Sequence, residues 1–237
     1  MPEHFNYTSY SSFMEYLCSF REEKYAEFQR RIIPGEKIIG VRMQRLRQTA
    51  KQIAKGDWRR FLDEAREDTM EEAMVEGFVT GYAEMPYEES LQRTAAFVPK
   101  IRSWAVCDSC TSTLTFLKKN KERSFRFVER YFSAEGEFAV RFAVTASMDF
   151  FISEGYLGRL FSNYDGIKHD GYYAKMAVAW AISMCFLKFP ERTLKYLHSS
   201  RLDDWTYNKA LQKIIESRCV SNETRQSIRL MKRKVKR

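Results

Sequence analysis

The sequence predicts an all-α fold, and three observations carry that prediction. Glycine and proline are sparse, ten and five in 237 residues, so the chain has few places at which to break. Between them apolar residues recur at spacings of three and four, where strands would alternate. The segments so marked are short and follow one another closely, which leaves a helical bundle or an α-solenoid as the architecture.

Taken in order, the first helix is expected over 9–31, ahead of the Pro34-Gly35 break, and the second over 42–55, closed by Gly56. Helices over 57–66 and 69–84 precede Pro86, and one over 87–99 ends at Pro99. Ser103 stands as an N-cap for 104–118. Segments 121–133 and 136–152 are parted by Gly136, 155–164 opens at Gly155, and 171–188 runs from Gly171 to Pro190. The remaining helices are expected over 190–199, 203–217 and 221–233, the last capped by Ser221.

The spacing of unusual residues favours the solenoid. Trp104 and Arg141 are 37 residues apart, and Arg141 and Trp180 are 39 apart. That period is close to the period of HEAT-type helix pairs, which stack into a superhelix with the second helix of each pair on its concave face. About six helical pairs are expected, forming a single domain over 1–237 with loose ends at 1–8 and 232–237. No Gly/Ser/Pro linker separates two cores.

At 44% hydrophobic and 15% aromatic, the chain can build a core. Its longest apolar run, "AKMAVAWAISMCFL", is interrupted by Lys175 and falls short of the ~20 residues of a membrane span. The amino terminus "MPEHFNYTSY" lacks the pattern of a secretory signal, and five cysteines are odd in number and scattered. A reducing cytoplasm is the expected location, where the Asn6 and Asn222 sequons carry no meaning. The net charge of +9 favours a polyanionic partner such as nucleic acid. Part of it sits in two clusters, "RMQRLRQTAKQIAKGDWRR" (42–60) and the tail "MKRKVKR", while 62–76 is acidic. A basic tail of this kind reads first as a solvated end.

The stretch "SWAVCDSC" (103–110) holds two puzzles that a helical wheel separates. Cys107, Cys110, Leu114 and Leu117 form one apolar stripe, in which cysteine reads as a small core residue. Trp104, Asp108, Thr111 and Thr115 form the neighbouring stripe. His4, His169 and His198 lack ligand-like spacing, so neither a metal nor a cofactor is expected. Trp104 and Asp108, one turn apart, can act on one object; taken from this helix alone, a core tryptophan with an aspartate capping a neighbouring helix is the favoured reading. Arg141 lies in "EFAVRFAVTASM", too apolar for a solvated face, and needs an anion there. Asp108, a ligand phosphate and a structural ion pair all remain open. Trp180 reads by default as core, and Lys175 as a snorkelling or phosphate-binding side chain. If Trp104, Asp108, Arg141 and Trp180 converged, they would suit a substrate that becomes cationic.

Four blocks, "YAEFQRRIIPGEKIIGVRMQRLRQTAK" (25–51), "SWAVCDSC", "EFAVRFAV" (137–144) and "YYAKMAVAWAIS" (172–183), resemble the AlkD-like DNA alkylation-repair proteins, the HEAT-like DNA glycosylases, over about residues 10–230. The resemblance implies a solenoid curved around a concave DNA-binding groove. It places the family's catalytic aspartate on Asp108, its tryptophans on Trp104 and Trp180, and its arginine on Arg141. The implied reaction is hydrolysis of the N-glycosidic bond of N3- or N7-alkylated purines in double-stranded DNA, without a base-flipping pocket. Phosphate contacts are expected among Arg42, Arg45, Arg47, Lys51 and Lys175, in a monomer associated with the nucleoid when on DNA. Three positions depart from the family's pattern: Gln44 replaces a frequent proline, and Ala105 and Ser183 replace an aromatic or acidic residue and an arginine. A non-catalytic module for bent or branched DNA and a protein-binding solenoid are the competing readings.

Overall fold

Side-chain oxygens of Ser9, Asp57, Thr69, Ser103, Asp203 and Ser221 each accept a hydrogen bond from a first-turn backbone N–H of the helix that follows. These caps satisfy donors that a helix start leaves orphaned, and Ser103 and Ser221 act as the sequence leads one to expect. The computed structural model describes residues 5–234. Among them the regular structure is fourteen α-helices and three short 3-10 segments, with no strand. The fold is all-α. The chain forms two compact units, Met1–Lys119 and Asn120–Arg237.

The first unit contains α1 (Tyr10–Cys18), α2 (Glu23–Ile32), α3 (Met43–Ile53), α4 (Trp58–Glu64), α5 (Met70–Tyr82), α6 (Tyr87–Phe97) and α7 (Trp104–Thr111). Helix α3 packs on α5 and α5 on α7, while α4 and α6 pack against α5 from their own positions. Every residue of α5 from Met70 to Thr80 is buried, including three glutamates of the acidic 62–76 run. Each has partners, as buried charge requires. Glu71 accepts the backbone N–H groups of Ile39, Gly40 and Val41 at 2.9, 2.7 and 3.2 Å. Glu72 accepts the Thr69 hydroxyl at 2.6 Å, and Glu76 pairs with Lys100 at 2.7 Å.

Two expected helices are interrupted where the periodicity runs on. The segment 9–31 divides into α1 and α2, because the Glu22 N–H donates to the Gly40 carbonyl at 3.0 Å and Glu22 is extended. Gly40 has φ +99°, and a Cβ there would lie 2.6 Å from the Glu22 carbonyl oxygen. The break is therefore set by a distant glycine, with neither Gly nor Pro at 19–22. The segment 104–118 ends as an α-helix at Thr111 and resumes as a 3-10 segment over Thr115–Lys118. Within "TSTLT" the Thr113 hydroxyl bonds the Cys110 carbonyl at 2.7 Å, the local competition by which threonine weakens helices. Leu114 and Leu117 stay buried all the same.

The second unit contains α8 (Lys121–Glu129), α9 (Glu137–Phe150), α10 (Glu154–Gly166), α11 (Tyr172–Lys188), α12 (Pro190–Ser199), α13 (Asp204–Glu216) and α14 (Asn222–Leu230). Alternate helices again pack together, α9 on α11 and α11 on α13. The alanine-rich run of α11 buries Ala174, Ala177, Ala179 and Ala181, small residues that let the helices on either side approach. Of the ends expected to be loose, 1–4 and 235–237 lie outside the described residues. Arg233 is anchored: it donates to the Leu202 and Ser200 carbonyls at 2.7 and 3.0 Å and stacks 3.8 Å over Tyr207.

No described helix is long and apolar enough to cross a membrane.

Candidate active site

Helix α7 buries Ala105, Val106, Cys107, Cys110 and Thr111, and leaves Trp104, Asp108 and Ser109 partly open. The tryptophan and the carboxylate thus share the open side of an otherwise buried helix, as their i, i+4 spacing requires. The cysteines lie on the packed side. The Cys110 thiol sits against the Met74 carbonyl and thioether of α5, and burial holds its pKa well above the ordinary thiol range. Both are free and buried, and the C-x-x-C spacing falls on the packed side of α7.

What lets α7 lie so close to α5 is Gly77. A Cβ there would collide with the Cys110 Sγ and the Phe97 ring. Trp104 is fixed from a second side, since its indole N–H donates to the Ile32 carbonyl, the last residue of α2, at 3.2 Å.

Arg141 is 6% exposed on α9, and its Nη1 donates to the Tyr173 carbonyl in the first turn of α11 at 2.8 Å. One turn earlier on α9, Glu137 accepts the Tyr173 N–H at 2.5 Å and the Ala174 N–H at 3.4 Å. The two side chains clamp the start of α11, the carboxylate taking orphan N–H groups where the helix dipole is positive. Trp180, two turns further along α11, is partly exposed. The Ser183 hydroxyl turns back onto the Trp180 carbonyl at 2.7 Å, so it offers no outward hydrogen bond donor from that position.

The five expected phosphate-contacting cations are engaged with their own chain. Arg42 forms a bidentate pair with Glu22, at 3.0 and 2.7 Å, and stacks on Tyr25. Arg45 covers the Phe20 ring and bonds Gln48 at 3.2 Å. Arg47 donates to the Tyr82 hydroxyl at 2.7 Å and lies over Phe78, and Lys51 lies over the other reach of Tyr82 at 5.5 Å. Lys51, Lys55, Trp58 and Tyr82 line a cleft of about 630 Å³. Lys175 pairs with Asp170 at 3.0 Å and Asp203 at 3.6 Å. Burial draws its ammonium pKa down, yet the two carboxylates outweigh that and hold it above the ordinary range.

Sequence reading passed over Lys55, Tyr82 and Glu137. The 47, 51, 55 spacing was a usable signal for Lys55; nothing local marks Tyr82 or Glu137, whose partners are 35 and 36 residues away.

The protein is all-helical, and α7 presents one carboxylate and an adjacent indole on the open side of a buried helix. The family can be stated more closely. The sequence model of the DNA alkylation repair enzyme family matches residues 14–214, and the chain belongs to that family. No curated protein matches it. Its role is accordingly an enzymatic one in the repair of alkylated DNA, with DNA as the substrate.

Proposed function

We propose that the protein is a DNA glycosylase that hydrolyses the N-glycosidic bond of N3- or N7-alkylated purines in duplex DNA. The observation that carries the reading is the Trp104–Asp108 pair, left open on α7 in a chain of this family. An alkylated purine of this type is cationic and already a good leaving group, so a general acid is unnecessary. As the bond stretches, positive charge passes to the deoxyribose. The Asp108 carboxylate stabilises that oxocarbenium and orients the attacking water, and the Trp104 indole supplies cation–π attraction of about 1–2 kcal/mol when water is excluded.

In the same reading the alternation of packed helices is a HEAT-like repeat, and Trp180 adds a second aromatic wall against sugar and backbone. Arg141, which also donates to the Tyr173 carbonyl, is the lesion-flanking phosphate contact. Arg42, Arg45, Arg47, Lys51 and Lys175 are the backbone-tracking cations, exchanging their intramolecular partners for phosphate as counterions are released. The chain acts as a monomer.

The test is release of 7-methylguanine or 3-methyladenine from methylated duplex DNA under enzyme excess. Asp108→Asn is expected to slow release by about 100-fold or more while leaving duplex affinity within about threefold of the parent. Absence of release by the parent protein, with salt-sensitive duplex binding intact, selects the non-catalytic DNA-binding reading instead.

A further inference from the structure

We propose that the amino-terminal ends of α11 and α13 carry a stacking platform for an unpaired nucleobase, built from Tyr172 and Trp205. It rests on DNA being the ligand of this protein and is independent of the excision chemistry. Four rings run across the starts of three successive packed helices: Phe138 to Tyr173 at 5.3 Å, Tyr173 to Tyr172 at 5.3 Å, and Tyr172 to Trp205 at 5.7 Å between centroids. The run emerges into solvent at its far end, where Tyr172 is 58% and Trp205 37% exposed. The two adjacent exposed rings form a continuous aromatic surface, unlike apolar side chains scattered singly.

The surroundings select the ligand. Tyr172, Trp205, Lys175 and Asp170 wall a cleft of about 330 Å³, the scale of a flat heterocycle and too small for a duplex. The Lys209 ammonium lies over one face of the Trp205 ring, 5.6 Å from its centroid, so a cation accompanies the aromatic surface, the combination with which proteins hold a base and its phosphate. Nearby carboxylates are countered: Asp170 and Asp203 by Lys175, and Asp204 by Arg233 at 3.5 Å. Asp203 is further occupied as the cap of α13, accepting the Trp205 and Thr206 N–H groups at 3.1 Å, which holds Trp205 in the first turn of that helix.

Position ties the platform to DNA. Tyr172, Met176 and Trp180 succeed one another at four-residue intervals on one stripe of α11, and none of the three is buried. At 1.5 Å per residue, Tyr172 stands about 12 Å along the helix from Trp180, about three to four nucleotides at the ~3.4 Å rise of one duplex strand. A base in a paired duplex has its faces covered by its neighbours, so the rings serve a nucleotide that has left the stack.

The experiment compares full-length protein binding to three fluorescent probes of one sequence: a fully paired duplex, the same duplex with a single unpaired nucleotide, and the single strand. The parent is expected to bind the bulged duplex more tightly than the paired one. Tyr172→Ala with Trp205→Ala should weaken bulged-duplex and single-strand binding by about tenfold and leave paired-duplex affinity unchanged. Tyr172→Phe with Trp205→Phe should retain the preference, and thermal melting verifies that each variant is folded. Equal binding of bulged and paired duplex by the parent overturns the proposal, as does an unchanged preference in the alanine variant. A change in self-association on sedimentation with no change in DNA binding overturns it too, in favour of a protein contact. Base release measured on the same preparations separates the two readings. Release without bulge preference sinks the platform alone, and bulge preference without release sinks the glycosylase alone.

Discussion

The Trp104 indole N–H donates to the Ile32 carbonyl oxygen at 3.2 Å, joining residues 72 positions apart in the chain. The bond spends the one donor of the ring on the carboxyl end of α2, where helix carbonyls lack intrahelical partners. It fixes the plane of the ring one turn from Asp108.

Trp104→Phe keeps an aromatic face and removes this donor. Stability is expected to fall by about 1 kcal/mol, the net worth of a hydrogen bond, and base release by about tenfold because the ring is free to turn. Thermal unfolding and single-turnover excision measure the two effects separately.

Arg141→Met leaves the Tyr173 carbonyl without its guanidinium partner. A loss of about 1–3 kcal/mol is expected, read as a lower urea midpoint. Should Arg141 also contact a phosphate, the slope of log affinity against log salt falls by about one for this variant.

Gly77→Ala tests how α7 is placed. Alanine is the better helix former by about 1 kcal/mol, but its methyl would collide with the Cys110 Sγ and the Phe97 ring. Overpacking is expected to dominate, with a net loss of about 2 kcal/mol. Base release should fall alongside, as α7 is pushed off α5. A variant as stable as the parent, with full activity, would show that α7 is not positioned by this contact.

Glu76 gives stability a pH dependence of known sign. Burial raises its carboxyl pKa above the ordinary 4.5, against the opposing pull of Lys100. A group whose folded-state pKa is raised contributes stability that is fully present below its unfolded value and is lost as pH rises through the folded one. Replacing it by glutamine should therefore flatten the fall that begins near pH 4.5 and continues upward. Exposed carboxylates such as Glu22 and Glu122, lowered by hydrogen bonds from Arg42 and Arg159, act in the opposite direction, so the comparison is between parent and Glu76→Gln across that range.

The aromatic run at Phe138, Tyr173, Tyr172 and Trp205 shows how far local pattern reaches. Tyr172 and Trp205 are each legible as residues near a helix start, but their 5.7 Å approach depends on α11 and α13 packing side by side. The same limit separates Arg42 from Glu22. Sequence marks Arg42 as part of a basic cluster, whereas the bidentate pair exists only because Gly40 brings its segment against the start of α2.

The sequence by itself determined the all-α class, the caps at Ser103 and Ser221, and the common face of Trp104 and Asp108. Each follows from spacing within a few residues, and helix geometry converts such spacing directly into direction. Tertiary structure alone decided the break between α1 and α2, the burial of Arg141 against Tyr173, the tether of Trp104 to Ile32 and the engagement of Lys175 by two aspartates. These depend on close approach between segments tens of residues apart, where a glycine without a Cβ or a carbonyl at a helix end sets the outcome. Periodicity assigns a face to each residue and carries no information about which distant atom that face will meet.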